Sequence, residues 1–462
     1  MAKAKGPKSL EKVISSIGPL KRVLLINPPV HETNYRWLHW NQPLDLLKIA
    51  SWLRQDLGVD AKLYDFMVPD KGGRTPKHKL DRDWNVHGMD VDAWHFGKPI
   101  EHFRKTVHKW TKQSWIPDCV IVSNLTSYWV SGLLQLLFGV RNLAGPYGEV
   151  PIVLTGNVPR LSPETSSKLP CVTHCAVWGG SPTEYAPSYD LYAEHNDQVY
   201  FCALDPRNPK LVEETKKLID DGHVSFTFFS DDIFAEKTFV EELAASGVVS
   251  SYKTHFDIIC GVKPSRLSLD KVRALQKLHV RTMCVDYEVD GKGDLLAAGY
   301  ERLRDISLRD GFLRRPGLMN GFVDFGLPGE DFERVVYHTL VINKWLGGII
   351  LKPFGVLWDR TTEAERKAHW PRPEDQSPHA FPYLTQNKAA VDDYLNLYRW
   401  QALLNYRNRG ATFDFLSNTM LGRTVRTSVR EESWTIDNII KEGERGAKQN
   451  PAHGLTLPSP NL

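Results

Sequence analysis

Short apolar runs alternate with helical patterns through the first third of the chain. Residues 43–58 place leucine and isoleucine at helical spacing, with Pro43 suited to the first turn and Gly58 to the stop. The apolar runs are short and bounded by Pro, Asn and Gly, as in buried parallel strands. Strands are predicted at residues 21–30, 59–66, 118–129, 150–157 and 171–180. This alternation predicts a Rossmann-like parallel α/β sheet over residues 21–190, preceded by a flexible N-terminus over 1–20.

An insertion over residues 67–117 separates the second and third of these strands. It is polar at first and has a helical pattern from about Pro99. We expect it to fold over the edge of the sheet where the strands end. A flexible surface loop is the alternative.

A second series of strand–helix pairs begins at residue 198. Its strands are predicted at residues 198–204, 224–234, 252–262, 280–289, 319–330 and 348–359, with amphipathic helices between them. Six such units predict a partial (βα)6 TIM-like barrel over residues 198–360. A mainly helical C-terminal region (361–440) and a disordered tail (441–462) follow, the tail because it lacks hydrophobic periodicity.

Small and polar residues collect at the carboxyl ends of the strands in the first sheet. Ligands of open parallel sheets bind beyond these ends. The candidate ligand residues are Pro28, Pro29, Ser123, Asn124, Thr126, Gly156, Asn157, Gly179 and Gly180. Gly, Asn and Pro also end strands for local reasons, so the pattern alone is compatible with a sheet edge that binds no ligand.

The strand ends of the predicted barrel carry acidic residues, glycines and a lysine. They are Asp231, Asp232, Glu288, Gly326–Glu330 and Lys352–Phe354. Chemistry in such barrels sits at the carboxyl ends of the strands. Adjacent strand residues point to opposite faces, so Asp231 and Asp232 do not form an acid–base pair facing one interior. Capping of the following helix is the alternative role for these two acids.

Charge and cysteine content narrow the class of protein. A net charge of +3 on 462 residues gives no electrostatic case for nucleic-acid binding. No apolar run approaches the roughly 18 residues that would span a bilayer, and the N-terminus lacks the apolar core of a signal peptide. Six cysteines without regular spacing favour a reducing compartment. We therefore expect a cytoplasmic protein that binds neither membrane nor nucleic acid.

Cys171 and Cys175 match the first two of the three cysteines of an iron–sulfur motif. Three thiolates at CxxxCxxC spacing hold a four-iron cluster and leave one iron open, but here Trp178 occupies the third position. On a strand, residues four apart are separated by about 13 Å, too far for one cluster. Two small strand thiols are the favoured interpretation, and a loop before the strand at Cys171 is the alternative.

Several stretches in combination resemble radical S-adenosylmethionine proteins with an N-terminal cobalamin-binding domain. VLLINPP, PLDLLKIASWL and VDAKLYDF are similar to the opening of that domain, and GFVDFGLPGE is similar to the fifth barrel strand and its Gly–Pro–Gly–acid turn. The resemblance covers roughly residues 20–360. It implies cobalamin at the candidate edge of the first sheet. It also implies S-adenosylmethionine at the residues Asp231, Glu288, Gly326, Pro328 and Lys352.

The chain departs from this family where the cluster should be held. The family places three cysteines in the loop after the first barrel strand, whereas residues 198–210 contain only Cys202. The resemblance therefore implies a divergent member without the iron–sulfur cluster. A cluster assembled from Cys171, Cys175 and Cys202 is the alternative.

Three functions remain open from the sequence. The first is a cluster-free enzyme that binds cobalamin or S-adenosylmethionine and transfers a methyl group, or performs related chemistry, on a small molecule of unknown identity. The second is a non-catalytic protein that binds cobalamin, or nothing, and acts as partner to an intact paralogue. The third is an ordinary radical enzyme with an atypically ligated cluster. The chain lacks a DxHxxG stretch, and His31 is predicted to be a surface-loop residue rather than a cobalamin ligand.

Overall fold

The computed structural model describes most of the chain up to residue 405. The described residues are 8–33, 42–70, 75–86, 89–123, 130–143, 145–179, 185–195, 202–251, 253–310, 319–357, 360–384, 386–387, 393–394, 397, 401 and 404–405. Three predicted ligand residues, Asn124, Thr126 and Gly180, lie outside them, as does the tail over 441–462.

The described residues form a mixed α/β fold with two large parallel sheets. The strands are β1 Lys8–Ser9, β2 Arg22–Asn27, β3 Val30–Thr33, β4 Asp60–Asp65, β5 Lys77–Lys79, β6 Trp84–Val86, β7 Met89–Val91, β8 Ala93–Phe96, β9 Cys119–Ser123, β10 Ile152–Thr155, β11 His174–Val177, β12 Cys202–Leu204, β13 Ser225–Phe228, β14 His255–Val262, β15 Val280–Val285, β16 Met319–Phe325 and β17 Ile349–Pro353. The helices are α1 Leu10–Ile17, α2 Leu44–Leu57, α3 Ile100–Lys112, α4 Val130–Arg141, α5 Asn157–Leu161, α6 Pro163–Ser167, α7 Leu211–Asp220, α8 Val240–Ala245, α9 Leu269–Lys277, α10 Ala297–Asp310, α11 Phe332–Leu346 and α12 Glu363–His369.

The first sheet has the strand order β1-β11-β10-β9-β2-β4, and all its pairs are parallel. Counted from β2, its strands follow the doubly wound order 2-1-3-4-5, and β1 is added outside β11. The strand order reverses between β2 and β9. In sheets of this kind, that switch point is where ligands bind.

Both faces of the first sheet are buried, because successive residues of β2 point to opposite sides. Leu24 and Ile26 pack with α3 and α4, whereas Val23 and Leu25 pack with α1 and α2. This explains why the strand reads as a continuous apolar run rather than an alternating one.

The N-terminal segment differs from the flexible tail that the sequence predicts. Residues 8–17 form β1 and α1, and Ser9 caps the helix by accepting the Lys12 N–H. Leu10, Val13 and Ile14 are buried at helical spacing against the sheet. This apolar stripe at helical spacing is the sequence signal for the helix.

The insertion forms a small antiparallel sheet and then a helix. Its sheet has the order β3-β8-β5, with β6 and β7 paired beside it. The helix α3 begins at Ile100, which confirms the helical pattern predicted from about Pro99. Because β3 follows Pro28 and Pro29 directly, its pairing with β8 places the insertion beside the carboxyl end of β2.

The second sheet has six parallel strands in chain order, β12 to β17. A single large apolar cluster lies between its strands and helices α7 to α11, and it includes Phe256, Val323, Phe325 and Ile342. Phe322 belongs to a separate small cluster with Cys284 and Ile350. Residues 322 and 323 therefore face different surroundings, as expected for neighbours on one strand.

Side chains cover both outer edges of the second sheet. At β12, Ala203 donates its N–H to Gln42 and accepts the Tyr189 hydroxyl at its carbonyl. At β17, Asn405 accepts the Ile349 N–H at 2.9 Å and donates to the Ile349 carbonyl at 2.8 Å. These contacts satisfy buried backbone groups that an uncovered edge strand would leave unpaired.

The C-terminal region contacts the first unit, that is, the first sheet with its helices and the insertion. Arg366 donates to Thr165, Arg372 donates to the carbonyl of Asn85 at 2.9 Å, and Ser377 donates to the buried carboxylate of Glu32 at 2.8 Å. The described part of the predicted 361–440 region contains α12 and two short 3-10 helices, Pro373–Gln376 and Pro378–Ala380. Across the described residues, no helix combines the length and apolarity needed to cross a membrane.

We expect Asn405→Ala to destabilise the second sheet. It leaves the Ile349 N–H and carbonyl without their side-chain partner, and each buried unsatisfied group costs about 1–3 kcal/mol. Urea unfolding should show this loss, whereas the exposed control Asn157→Ala should change the free energy of unfolding by less than about 0.5 kcal/mol. Equal stability of the two variants would contradict the edge-covering role.

Candidate functional site

A buried ion pair occupies the turn after β12, where the family resemblance places the cluster loop. Lys48 Nζ on α2 lies 2.7 Å from Asp205 Oδ2, and the two side chains are 3% and 4% exposed. Asp205 also accepts the backbone N–H of Arg207 at 3.0 Å. The first unit therefore supplies the charge that holds this turn.

Hydrogen bonds to Asn208 and Glu214 hold the rest of the turn. Asn208 accepts the Lys210 N–H and donates to Glu214 on α7 at 2.5 Å. The Tyr189 hydroxyl, which donates to the Ala203 carbonyl, lies 2.9 Å from Glu214 Oε1, and burial raises the pKa of the Glu214 carboxyl group. Helix α7 begins at Leu211, so six residues connect β12 to it. These residues contain no cysteine.

The three candidate cluster cysteines are not brought together. Cys202 lies in the core of the second sheet, whereas Cys171 and Cys175 pack against one face of the first. Burial raises the pKa of Cys175 and of Cys202 to about 12, which disfavours the thiolates that a cluster needs. Among the described residues, no three His, Cys, Asp or Glu side chains are arranged to hold a metal ion. The described residues do not fit an iron–sulfur cluster.

A polar group lies at the carboxyl ends of the central and last strands of the second sheet. This strand-end cluster consists of Cys260, Asp286, Asp324 and Lys352. Lys352 Nζ lies 3.8 Å from Asp324 Oδ1 and over the ring of Phe322. The Gly261 N–H donates to both oxygens of Asp286, at 3.2 and 3.3 Å. Gly261 has φ +85°, and a Cβ there would lie 2.5 Å from the Ser230 carbonyl, so this close approach requires glycine.

The carboxylates of the strand-end cluster have raised pKa values. Burial raises the pKa of Asp286 to about 6, with a further contribution from the charge of Asp324 and opposition from the Gly261 N–H and Lys352. Burial likewise raises the pKa of Asp324, and its Oδ1 has no hydrogen-bond partner. A carboxyl group that titrates near pH 6 is suited to proton transfer near neutral pH.

The resemblance assigns five residues to S-adenosylmethionine. The structure places them in different surroundings. Lys352 belongs to the cluster, and Asp231 is exposed. Glu288 instead accepts both the N–H and the hydroxyl of Ser265, at 2.7 and 2.9 Å. Gly326 donates its N–H to Glu330, and Pro328 is exposed in the same turn.

The Gly326–Glu330 turn is closed by its own acidic residue. Glu330 accepts the N–H groups of Gly326 and Leu327, at 2.7 and 3.1 Å, and the hydroxyl of Tyr394 at 2.8 Å. Asn387 accepts the Gly329 N–H at 2.8 Å. The acid of this motif thus organises the turn.

Sequence reasoning missed Asp286 and Asp324. Each stands two residues before a predicted site residue, Asp286 before Glu288 and Asp324 before Gly326. Since residues two apart share a face, Glu288 and Gly326 should have directed attention to them. Asp232, by contrast, accepts the Phe234 N–H in a turn and lies 3.6–3.7 Å from Arg266 and Lys263. It does not cap the following helix, whose N-cap is Phe239.

The candidate edge of the first sheet is tightly packed at the switch point. A Cβ on Gly132 of α4 would lie 2.3 Å from the Pro29 carbonyl, so the helix and the Pro28–Pro29 segment are in backbone contact. Ser123 at the end of β9 donates to Asp45 at 2.7 Å. Further along the edge, Gly156 has φ +105°, while Asn157 and Gly179 are exposed.

Asp45 supplies an observation that bears on a ligand at this edge. Its Oδ2 accepts from Ser123, but the buried Oδ1 has no hydrogen-bond partner. Burial raises the pKa of this carboxyl group, which favours its protonated, donating form. An orphaned polar atom at the switch point fits a polar ligand such as a corrinoid side chain.

His31 is buried, which corrects its prediction as a surface-loop residue. It lies on β3, is 5% exposed, and faces Ser131 and Gln135 of α4 and His95 of β8. Its ring nitrogens are therefore engaged within the protein.

Comparisons with known proteins give only distant similarity. No family model and no curated protein matches the chain. A structure of the apo, selenomethionine-labelled cobalamin-dependent S-adenosylmethionine radical enzyme OxsB is similar at 15% identity, with a TM-score of 0.44 over 93% of this chain and 64% of that one. The form of OxsB with aqua-cobalamin and S-adenosylmethionine bound gives 14% identity and a TM-score of 0.43 over 92% and 63%. The chain thus spans less than two thirds of these structures, and similarity at this level does not define its ligands.

The raised pKa of Asp286 predicts a pH-dependent contribution to stability. The folded chain binds this proton more tightly than the unfolded chain, so Asp286 favours folding increasingly as pH falls from about 6 to about 4. Urea unfolding at pH 7.0 and at pH 4.5 tests this. On acidification, the free energy of unfolding of the native protein should rise relative to that of Asp286→Asn by about 2 kcal/mol.

The exposed control Asp270→Asn should respond to acid as the native protein does, because its side chain is 84% exposed. The same response for Asp286→Asn and the native chain would contradict a raised pKa at Asp286.

Proposed function

We propose that the chain is a cluster-free relative of the cobalamin-binding radical S-adenosylmethionine proteins. In this proposal residues 21–190 form a Rossmann-like corrinoid-binding domain. Residues 198–360 form a partial (βα)6 barrel whose strand-end cluster binds S-adenosylmethionine or the substrate. The observation that carries the proposal is the closed turn after β12, where Lys48 and Asp205 take the place of a cysteine-bearing loop.

Methyl transfer is the chemistry that best suits such a protein. Methylcobalamin or S-adenosylmethionine, when bound, supplies a methyl group that moves as a cation and needs no reducing cluster. The chain's own contribution would be proton handling: Asp286, with a pKa of about 6, is placed to accept a proton from a nucleophile. Lys352 would balance the negative charge of the two carboxylates.

A non-catalytic partner of an intact paralogue is the second candidate. It is favoured by the internal use of Glu288 and Gly326, whose polar groups are bonded to Ser265 and Glu330. In this case the first domain would bind a corrinoid, and the strand-end cluster would bind no S-adenosylmethionine.

The test is ligand binding and metal analysis on the full chain purified anaerobically. We expect no stoichiometric iron or sulfide, saturable binding of aquacobalamin, and saturable binding of S-adenosylmethionine by calorimetry. Asp286→Asn should weaken binding of S-adenosylmethionine about tenfold, which corresponds to about 1.4 kcal/mol. The exposed control Asp270→Asn should leave it unchanged.

Other outcomes select the other functions. Binding of aquacobalamin without S-adenosylmethionine would favour the partner protein. About four irons per chain, lost in Cys202→Ala, would establish a cluster and overturn the proposal. Absence of both ligands would overturn the proposal and favour a partner protein that binds neither.

A further inference from the structure

Three side chains of the first unit point donor atoms at one another in a buried position. His31 on β3 and His95 on β8 are paired in register, and the two residues are 5% and 0% exposed. His31 Nε2 lies 3.0 Å from His95 Nδ1 and 3.2 Å from Gln135 Oε1 on α4. Two strands and a helix thus bring two imidazoles and an amide together.

The proton positions on the rings follow from their outer partners. A backbone carbonyl only accepts, so the 2.9 Å contact with the Lys98 carbonyl fixes the proton of His95 on Nε2. The lone pair of His95 Nδ1 therefore faces His31 Nε2. Without a further group, the His31 Nε2–H is shared between that lone pair and Gln135 Oε1, and His31 Nδ1 accepts the Ser131 hydroxyl at 3.0 Å.

We propose that His31 Nε2, His95 Nδ1 and Gln135 Oε1 bind one divalent first-row transition ion, such as Zn²⁺ or Co²⁺. Ligands at about 2.1 Å from a tetrahedral ion are about 3.4 Å apart. This is close to the 3.0 and 3.2 Å that separate His31 Nε2 from the other two donor atoms. Imidazole nitrogen is a ligand that suits these ions. The third donor is an amide oxygen, so the site needs only two ionisable side chains.

The surroundings match what metal-bound histidines require. A ligating histidine donates its other N–H to a carbonyl or similar acceptor, which fixes the ring. His95 already does so to Lys98. When an ion binds, the proton of His31 moves from Nε2 to Nδ1 and is donated to Ser131 Oγ, and water completes the coordination.

Burial lowers the pKa of both imidazole rings. Desolvation, with the neighbouring His95, lowers the pKa of His31 to about 3, and desolvation lowers that of His95 to about 4. The exposed ring of His78 stacks on His95 with centroids 4.4 Å apart, so it contacts the site through its face.

The test is Co²⁺ binding to the full-length, metal-stripped chain, followed by visible absorption and by competition with Zn²⁺. We expect one Co²⁺ per chain, with absorption bands typical of nitrogen and oxygen ligands. His31→Phe and His95→Phe should each weaken binding at least tenfold. The control His174→Ala, which changes a histidine on β11, should bind as the native chain does.

Gln135→Glu keeps the test decisive if the histidine variants do not fold. A carboxylate in place of the amide should tighten Co²⁺ binding about tenfold, whereas Gln135→Leu should weaken it. A purely structural hydrogen-bond network predicts no Co²⁺ binding in any variant. That result, or binding unchanged across the histidine and Gln135 variants, would overturn the proposal. Neither outcome depends on cobalamin or S-adenosylmethionine, so this site stands apart from the proposed function.

Discussion

The buried pair of Lys48 and Asp205 is the interaction on which the arrangement of the two units depends. It joins a helix of the first sheet to the turn that follows the first strand of the second. Removing two charges from water costs several kcal/mol each, and good geometry with further hydrogen bonds must offset that cost. Asp205 has such bonds through Arg207, and nearby Glu214 is bonded to Tyr189 and Asn208. The turn is therefore specified by partners that come from three parts of the chain.

The same region shows how the second sheet is completed without closing on itself. Gln42 and Tyr189 cover the edge at β12, and Gln401 and Asn405 cover the edge at β17. Amide side chains can stand in for a neighbouring strand because they offer one donor and one acceptor in a plane. The helices bury one face of the sheet. On the other, apolar residues such as Phe322 lie beside the strand-end cluster, where burial raises the pKa of Asp286 to about 6.

The regular parts of this fold were predictable from local pattern, whereas most of the polar chemistry was not. Strand–helix alternation gave the main strands of both sheets, since hydrophobic periodicity is a local signal. The shortened turn at Asp205 was also visible, as an absence of cysteines in residues 198–210. Lys48 gave no such signal. It occupies one position of an ordinary amphipathic helix, and its partner lies 157 residues away. His31 was misjudged for the same reason: the strand that buries it belongs to the insertion, whose short polar strands carry little hydrophobic pattern.

A double-mutant cycle on Lys48 and Asp205 tests the central claim most directly. Asp205→Asn should lower the free energy of unfolding by about 3–5 kcal/mol, because it leaves Lys48 as an uncompensated buried charge. Lys48→Met should lower it by less, because Arg207 Nε lies 3.1 Å from Asp205 Oδ1 and still pairs with that carboxylate. Lys48→Met/Asp205→Asn leaves neither charge, so its loss should fall well below the sum of the two, with a coupling energy of at least about 2 kcal/mol. Losses that add to within about 0.5 kcal/mol would show that the two side chains do not act together. The closed turn would then need another cause.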